Sequence, residues 1–164
     1  MLSQIEACVP ALRRHAAALL RDRRAADDLV HDCLARALDE LRTRRDDGDV
    51  RAWLFAILHG LFLSRGRRAR AGATASDDTS GGPSGGAGEQ EATPRSELVR
   101  ELNNLPDDQR AAILLVAVED FTYAEAARVL GVPVAAVVSR LARGRERLRQ
   151  AAPKEARPCL WRVK

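Results

Sequence analysis

Cysteine is scarce: Cys8, Cys33 and Cys159 are the only three in 164 residues. An odd, scattered set with no Cys-x-x-Cys spacing argues against a disulfide framework. Cys8 and Cys33 read as small apolar residues, and a zinc site drawn from Cys33 with His31, His59 or Cys8 lacks the usual ligand spacing. No metal or other cofactor is expected. No apolar run approaches the length of a bilayer-spanning helix, and the N-terminus has neither the charged segment nor the apolar core of a signal peptide. A cytoplasmic location without membrane insertion is expected. No internal repeat is evident. The sequence offers no paired nucleophile and base, and the glycine pairs at Gly81 and Gly85 lie in a run with no strand or helix after it, so they do not form a phosphate-binding loop. A non-enzymatic protein follows.

What is present is charge, and it is segregated. Lys and Arg number 27 against 23 Asp and Glu, a formal net charge of only +4. The basic residues gather at Arg65 to Arg70 and again from Arg140 to Arg149, while acids gather at Asp27, Asp28 and Asp32. This distribution suits one face for an anion and another for a basic protein.

The hydrophobic pattern predicts an all-α protein of two small helical domains joined by a flexible linker. Residues 1–70 read as three helices. Ile5, Val9, Leu12, Ala16 and Leu19 recur at helical spacing, with the regular helix starting near Pro10. Ala26, Leu29, Val30, Cys33, Leu34, Ala37, Leu38 and Leu41 form the second stripe, with Asp27 and Asp28 in its first turn, where the helix dipole favours carboxylates. Burying that stripe leaves Asp28, Asp32 and Asp39 on show. Asp49 can cap a third helix with Val50, Trp53, Leu54, Ile57 and Leu61 facing inward. Phe55, His59 and Phe62 project elsewhere. Beside the basic cluster they fit either a platform on which bases stack or packing on the first helix. Residues 71–95 are rich in glycine, serine and acids, have almost nothing to bury and read as a tether. Residues 96–150 form the second domain. It opens with Leu98, Leu102 and Leu105, followed by Pro106 at a helix start, Asp107 and Asp108 in its first turn, and Ile113, Leu114, Val116 and Ala117 as apolar content. Residues 151–164 form a tail with Pro153 and Pro158, in which Leu160 and Trp161 could dock.

Thr122 to Arg149 carries the most specific local signal. Thr122 and Glu125 have the spacing of a capping box, Ala126, Ala127 and Leu130 give a small apolar face, and Gly131 and Pro133 end one helix and admit another from about Val134. In that second helix Val134, Val137, Leu141 and Leu148 make one stripe, and Ala136, Ser139, Arg140, Arg143 and Arg147 lie on the far side. A capped helix, a Gly-x-Pro turn and a cationic helix fit a helix-turn-helix that enters a major groove.

These parts, in this order, resemble the extracytoplasmic-function group of bacterial RNA polymerase sigma factors. RRAADDLVHDCLARAL resembles the segment that binds the clamp helices of the largest polymerase subunit. DVRAWLFAILHGLFLSRGRR is similar to the promoter-melting segment that reads the minus-10 element, and LNNLPDDQRAAILLVAVEDFTYAEAARVLGVPVAAVVSRLARGRERL to the minus-35 domain. The resemblance implies polymerase binding by Asp27, Asp28, Leu29 and Asp32, and a structural Trp in Arg51, Ala52, Trp53 and Leu54. It also implies minus-10 contacts around His59, Gly60, Ser64, Arg65, Arg67 and Arg68, and minus-35 contacts through Ala136, Ser139, Arg140, Arg143 and Arg147. Core polymerase, promoter DNA and an anti-sigma factor are the implied partners. Gly60 stands where the family commonly has Asn, and Ser64 where it has Asp or Asn. A glycine cannot bond a base through a side chain, so minus-10 reading is expected to be relaxed or shifted to His59 and Ser64. Ala135, Ala136, Val137 and Val138 replace the usual Gly-Thr-Val-Lys and weaken phosphate anchoring. A sigma-like decoy that sequesters an anti-sigma factor is the alternative; a stand-alone repressor has no use for the first domain.

Overall fold

A computed structural model describes residues 1–43, 48–73 and 94–151, and all regular structure among them is helical. Helix α1 spans Leu2–Leu20, α2 Arg23–Leu41 and α3 Val50–Ala73. After the stretch that lies outside the described residues come α4 Pro94–Asn104, α5 Asp107–Ile113 with a π-helical continuation Leu114–Val118, α6 Tyr123–Leu130 and α7 Val134–Ala151.

The first domain is a three-helix unit in which α1, α2 and α3 all pack on one another. Ile5, Leu12, Ala16 and Leu19 of α1 meet Ala26, Leu29, Val30, Cys33 and Ala37 of α2 and Leu54 and Leu58 of α3 in the buried core. Helix α1 begins at Leu2 rather than near Pro10, and Pro10 lies inside it. The ring removes one N–H and orphans the Glu6 carbonyl, but Glu6 and Pro10 are both exposed and water can take that place. Helix α2 begins earlier than the acids suggested. Asp22 is its N-cap, accepting from the Arg24 N–H at 2.9 Å and the Ala25 N–H at 3.4 Å, so Asp27 and Asp28 fall in the second turn. Leu38 of the predicted stripe is exposed, because the core narrows towards the end of α2. Asp49 does cap α3, accepting from the Arg51 and Ala52 N–H groups at 3.0 and 3.2 Å. Helix α3 continues to Ala73, past the predicted boundary at residue 70. The bulk of the predicted tether and the tail with Cys159, Leu160 and Trp161 lie outside the described residues.

The second domain is built on α7, which packs on α4, α5 and α6. Pro106 precedes α5 as its N-cap, with Asp107 and Asp108 in the first turn. Gly144 lets α5 and α7 approach: a Cβ there would sit 2.5 Å from Cδ1 of Ile113. Ala117 is exposed rather than part of the apolar content, because the helix widens into a π turn. There the Glu119 N–H bonds the Leu114 carbonyl at 3.0 Å, and Asp120 takes a left-handed φ of 55°.

The two domains touch. Helix α3 packs on α6, and α1 on α5.

Candidate nucleic-acid interface

The helix-turn-helix forms as its sequence dictates. The Glu125 N–H donates to Oγ1 of Thr122 at 3.3 Å, and the Thr122 N–H donates to Oε2 of Glu125 at 2.8 Å, the two halves of the capping box. Bonding to Thr122 holds the Glu125 carboxyl below its ordinary pKa. Gly131 ends α6 with φ 65°, where a side chain would be strained, and the Val132 N–H closes on the Ala127 carbonyl at 3.0 Å. Val137, Leu141 and Gly144 are the buried face of α7, with Leu148 packed beside them. Val134 was expected in that stripe, but it and Val138 are 44% and 45% exposed, because the first turn of α7 projects beyond α6.

Of the predicted minus-35 residues, Arg143 and Arg147 are exposed, and Ala136 and Ser139 half-buried. Among the described residues neither Arg143 nor Arg147 forms an ion pair. Arg140 differs. It is half-buried, its guanidinium lies 3.6 Å from Asp108, and its charge helps lower the pKa of His59 on α3. The recognition helix therefore presents Arg143 and Arg147 to solvent, with Ser139 partly covered, and turns Arg140 to Asp108 of α5.

The predicted minus-10 residues divide at Gly60. Beyond it, Ser64 and Arg65 are half-buried and Arg67 and Arg68 exposed, the cationic end of α3. The Ser64 hydroxyl donates to the Gly60 carbonyl at 3.0 Å and accepts from Arg67 at 3.3 Å. Gly60 is exposed, and a Cβ there would meet nothing within 4 Å. Phe55 and His59 before it and Phe62 just after it are buried, so packing takes these rings rather than an open stacking platform. Phe55 lies edge-on between His15 and Phe121, 5.1 Å from each. Burial first, then the Arg140 charge, lowers the His59 pKa to about 4. Burial does the same to His15, to about 3, with His59 and Arg14 adding to it.

On α2, Asp27, Asp28 and Asp32 are exposed, an acidic face towards solvent. Arg65 reaches across from α3 to Asp32 at 2.6 Å and to the Ala25 carbonyl at 3.1 Å, tying the acidic face to the basic end of α3. Leu29 is 0% exposed; it supports this face from beneath and offers no contact surface of its own. Cys33 donates to the Leu54 carbonyl at 3.4 Å, and burial pushes its thiol up to about 12. Among the described residues no cluster of three or more potential ligands could hold a metal ion, and no helix is long and apolar enough to cross a membrane.

The sequence reading missed four charged residues. Arg14, Arg51 and Arg110 meet the loop at Glu119 and the carbonyl of Leu19 in contacts that cross between domains. The signal was a lone Glu set among the apolar residues of the Leu114–Phe121 stretch, too little to identify partners 68 and 105 positions away.

A three-helix unit with an acidic face, joined to a helix-turn-helix with exposed cations, defines a two-domain helical protein of the DNA-binding class. Residues 95–148 match the family model for sigma-70, region 4, and residues 5–59 that for the Sigma2 domain of PhyR. The chain is 37% identical over 145 residues to the ECF RNA polymerase sigma factor EcfG of Rhodopseudomonas palustris, covering 88% of this chain and 80% of that one. Among solved structures it is similar to the sigma factor RpoE in complex with the anti-sigma factor NepR from Bartonella quintana, at 29% identity and TM-score 0.74, over 91% of this chain and 94% of that one. The anti-anti-sigma factor PhyR, also complexed with NepR from Bartonella quintana, shares the fold at 18% identity and TM-score 0.61, over 92% of this chain and 50% of PhyR. The chain belongs to the ECF RNA polymerase sigma factors. As such it directs core polymerase to specific promoters for transcription initiation.

Proposed function

We propose that this sigma factor docks on polymerase through Asp27, Asp28 and Asp32 and reads promoter DNA through two separate surfaces. The acidic face of α2 is complementary to a basic partner surface, such as the clamp helices of the largest subunit, and none of the contacts between the two domains uses it. On the second domain the exposed Arg143 and Arg147, with half-buried Ser139 beside them and behind a capped turn, fit the major groove of the minus-35 element; this is the observation that carries the reading. At the basic end of α3, Ser64, Arg65, Arg67 and Arg68 suit the backbone of the opened minus-10 strand, with Gly60 giving the strand close approach but no base-specific bond. The polymerase supplies the chemistry, and the protein works in the cytoplasm. NepR is the partner of the similar RpoE, and a small anti-sigma protein of that kind is the proposed regulator here.

A second reading has its own support: the first domain matches the Sigma2 domain of PhyR, and PhyR is an anti-anti-sigma factor. A decoy of that type binds the anti-sigma factor and starts no transcript. Reconstitution with core polymerase on sheared genomic DNA separates the two. Discrete transcripts that appear only with this protein, and that Asp28→Arg abolishes, are expected. Tight binding to an anti-sigma protein with no transcript would establish the decoy.

A further inference from the structure

The outer face of α7 carries more than cations. Residues four apart on a helix stand one above the other, so Val134, Val138 and Ala142 form one row, and Ala135, Ser139 and Arg143 the row beside it. Every member of the first row is exposed, Val134 and Val138 by 44% and 45%. The core does not need these valines, because its stripe on α7 is Val137, Leu141 and Gly144. The leading two turns therefore show solvent two branched apolar side chains with the methyl of Ala135 beside them. Their polar side chains are the half-buried Ser139 and Arg140, and the guanidinium of Arg140 is turned to Asp108.

A single exposed valine needs no explanation. Two in successive turns do, at the leading end of a helix whose trailing half carries Arg143, Arg145, Arg147 and Arg149 against one acid, Glu146. The charge indicates what covers them. A polyanion drawn by the arginines brings its groove to the same face, and a recognition helix offers its N-terminal residues to base edges. In the major groove guanine, cytosine and adenine present only hydrogen-bonding groups, which valine and alanine leave without a partner once water is displaced. Thymine alone adds an apolar group, the methyl at C5.

We infer that Val134 and Val138 are specificity-determining residues: they read thymine in the upstream promoter element by packing on its C5 methyl group, and the small Ala135 and Ala142 beside them let the helix seat deeply enough to reach it. The inference rests on the reading of α7 as the minus-35 helix proposed above, and adds to it the base that the helix selects. Arg143 and Arg147 draw the polyanion, and the valines add a discrimination that no hydrogen bond provides.

The test removes the methyl group and nothing else. Holoenzyme formed with the full chain selects duplexes from a randomised pool, and the thymines of the recovered upstream element are then replaced by deoxyuridine, which keeps the hydrogen-bonding groups of thymine and lacks its methyl. Binding is compared for the parent and for the double variant Val134→Ala, Val138→Ala. Both positions are exposed and alanine is the better helix former, so the variant should fold as the parent does, which a denaturant titration checks. The affinity of the parent is expected to fall about fourfold for each methyl group read, the effect of returning one buried carbon to water. The double variant should bind the thymine duplex more weakly than the parent and should not distinguish it from the deoxyuridine duplex. Equal losses in parent and variant overturn the inference, as does no loss in the parent or a recovered element with no preferred thymine–adenine pair. Failure of the underlying reading shows separately, as undiminished promoter binding by holoenzyme carrying Arg143→Ala.

Discussion

Helices α3 and α7 both carry predicted promoter contacts, but they divide their surfaces differently. Helix α7 buries one stripe, Val137, Leu141 and Gly144, and leaves Arg143 and Arg147 in water. Helix α3 is enclosed on several sides through its first half, where Leu54, Phe55, Leu58 and His59 are all buried, and carries exposed cationic surface only beyond Gly60. A helix at the edge of a small domain can hold the fold with one face and read a ligand with the other. A helix between two domains has its faces claimed by both. Phe55 against Phe121 and Arg51 on Glu119 mark where the second claim is made on α3.

The largest effect expected from breaking this comparison lies in the inner face of α7. Leu141→Ala should cost about 2–5 kcal/mol of unfolding free energy in a denaturant titration, through lost transfer energy and a residual cavity. Arg143→Ala, half a turn away on the outer face, should leave that titration within about 0.5 kcal/mol.

Acid should act where α1 and α3 meet and not on the outer face of α7. His15 and His59 have folded-state pKa values of about 3 and about 4 against an ordinary value of 6.5. Between those limits the unfolded chain binds more protons than the native one, so stability rises with pH. It is therefore full above 6.5 and falls by at most about 1.4 kcal/mol per pH unit per histidine on acidification. Burial is the main cause in both; His59 and Arg14 add to it at His15, and Arg140 at His59. A double His15→Gln, His59→Gln variant should flatten the slope of thermal midpoint between pH 6.5 and 5; an unchanged slope would place the pH dependence elsewhere.

Gly144→Ala should change stability by no more than about 1 kcal/mol: its methyl meets Cδ1 of Ile113, the far end of a side chain that can turn away, and the helix propensity of alanine offsets that shift. Gly60→Asn is the smallest change. It gains a few tenths of a kcal/mol from helix propensity, with open space for the side chain. If Gly60 relaxes minus-10 reading, holoenzyme carrying this variant should show a sharper preference in that element, measured by selection from randomised promoters.

The local grammar of the second domain was legible almost to the residue. Thr122, Glu125 and Gly131 take the cap and left-handed positions that their chemistry demands, because those constraints involve neighbours within a few positions. Asp49 did the same for α3, whereas Asp22 was overlooked as the α2 cap in favour of the more conspicuous Asp27 and Asp28. The all-helical, two-domain plan followed from periodicity and the polar run between the halves. What could not be read was the claim of one domain on the other. Phe55, His59 and Phe62 have the same pattern whether their cover is a nucleic acid base or Phe121, and sequence spacing does not distinguish them. The pairing of Glu119 with Arg14 and Arg51 depends on tertiary proximity alone. Arg140, placed by periodicity with Arg143, is separated from it in the fold by its pairing with Asp108.

The outer face of α7 is the central claim, and selection of bound sequences from a randomised duplex pool by the reconstituted holoenzyme tests it most directly. With Arg143→Ala the account predicts a loss of about 1–3 kcal/mol in promoter affinity, and relaxed preference at one position of the upstream element if the contact is to a base. Affinity and preference both unchanged would contradict it.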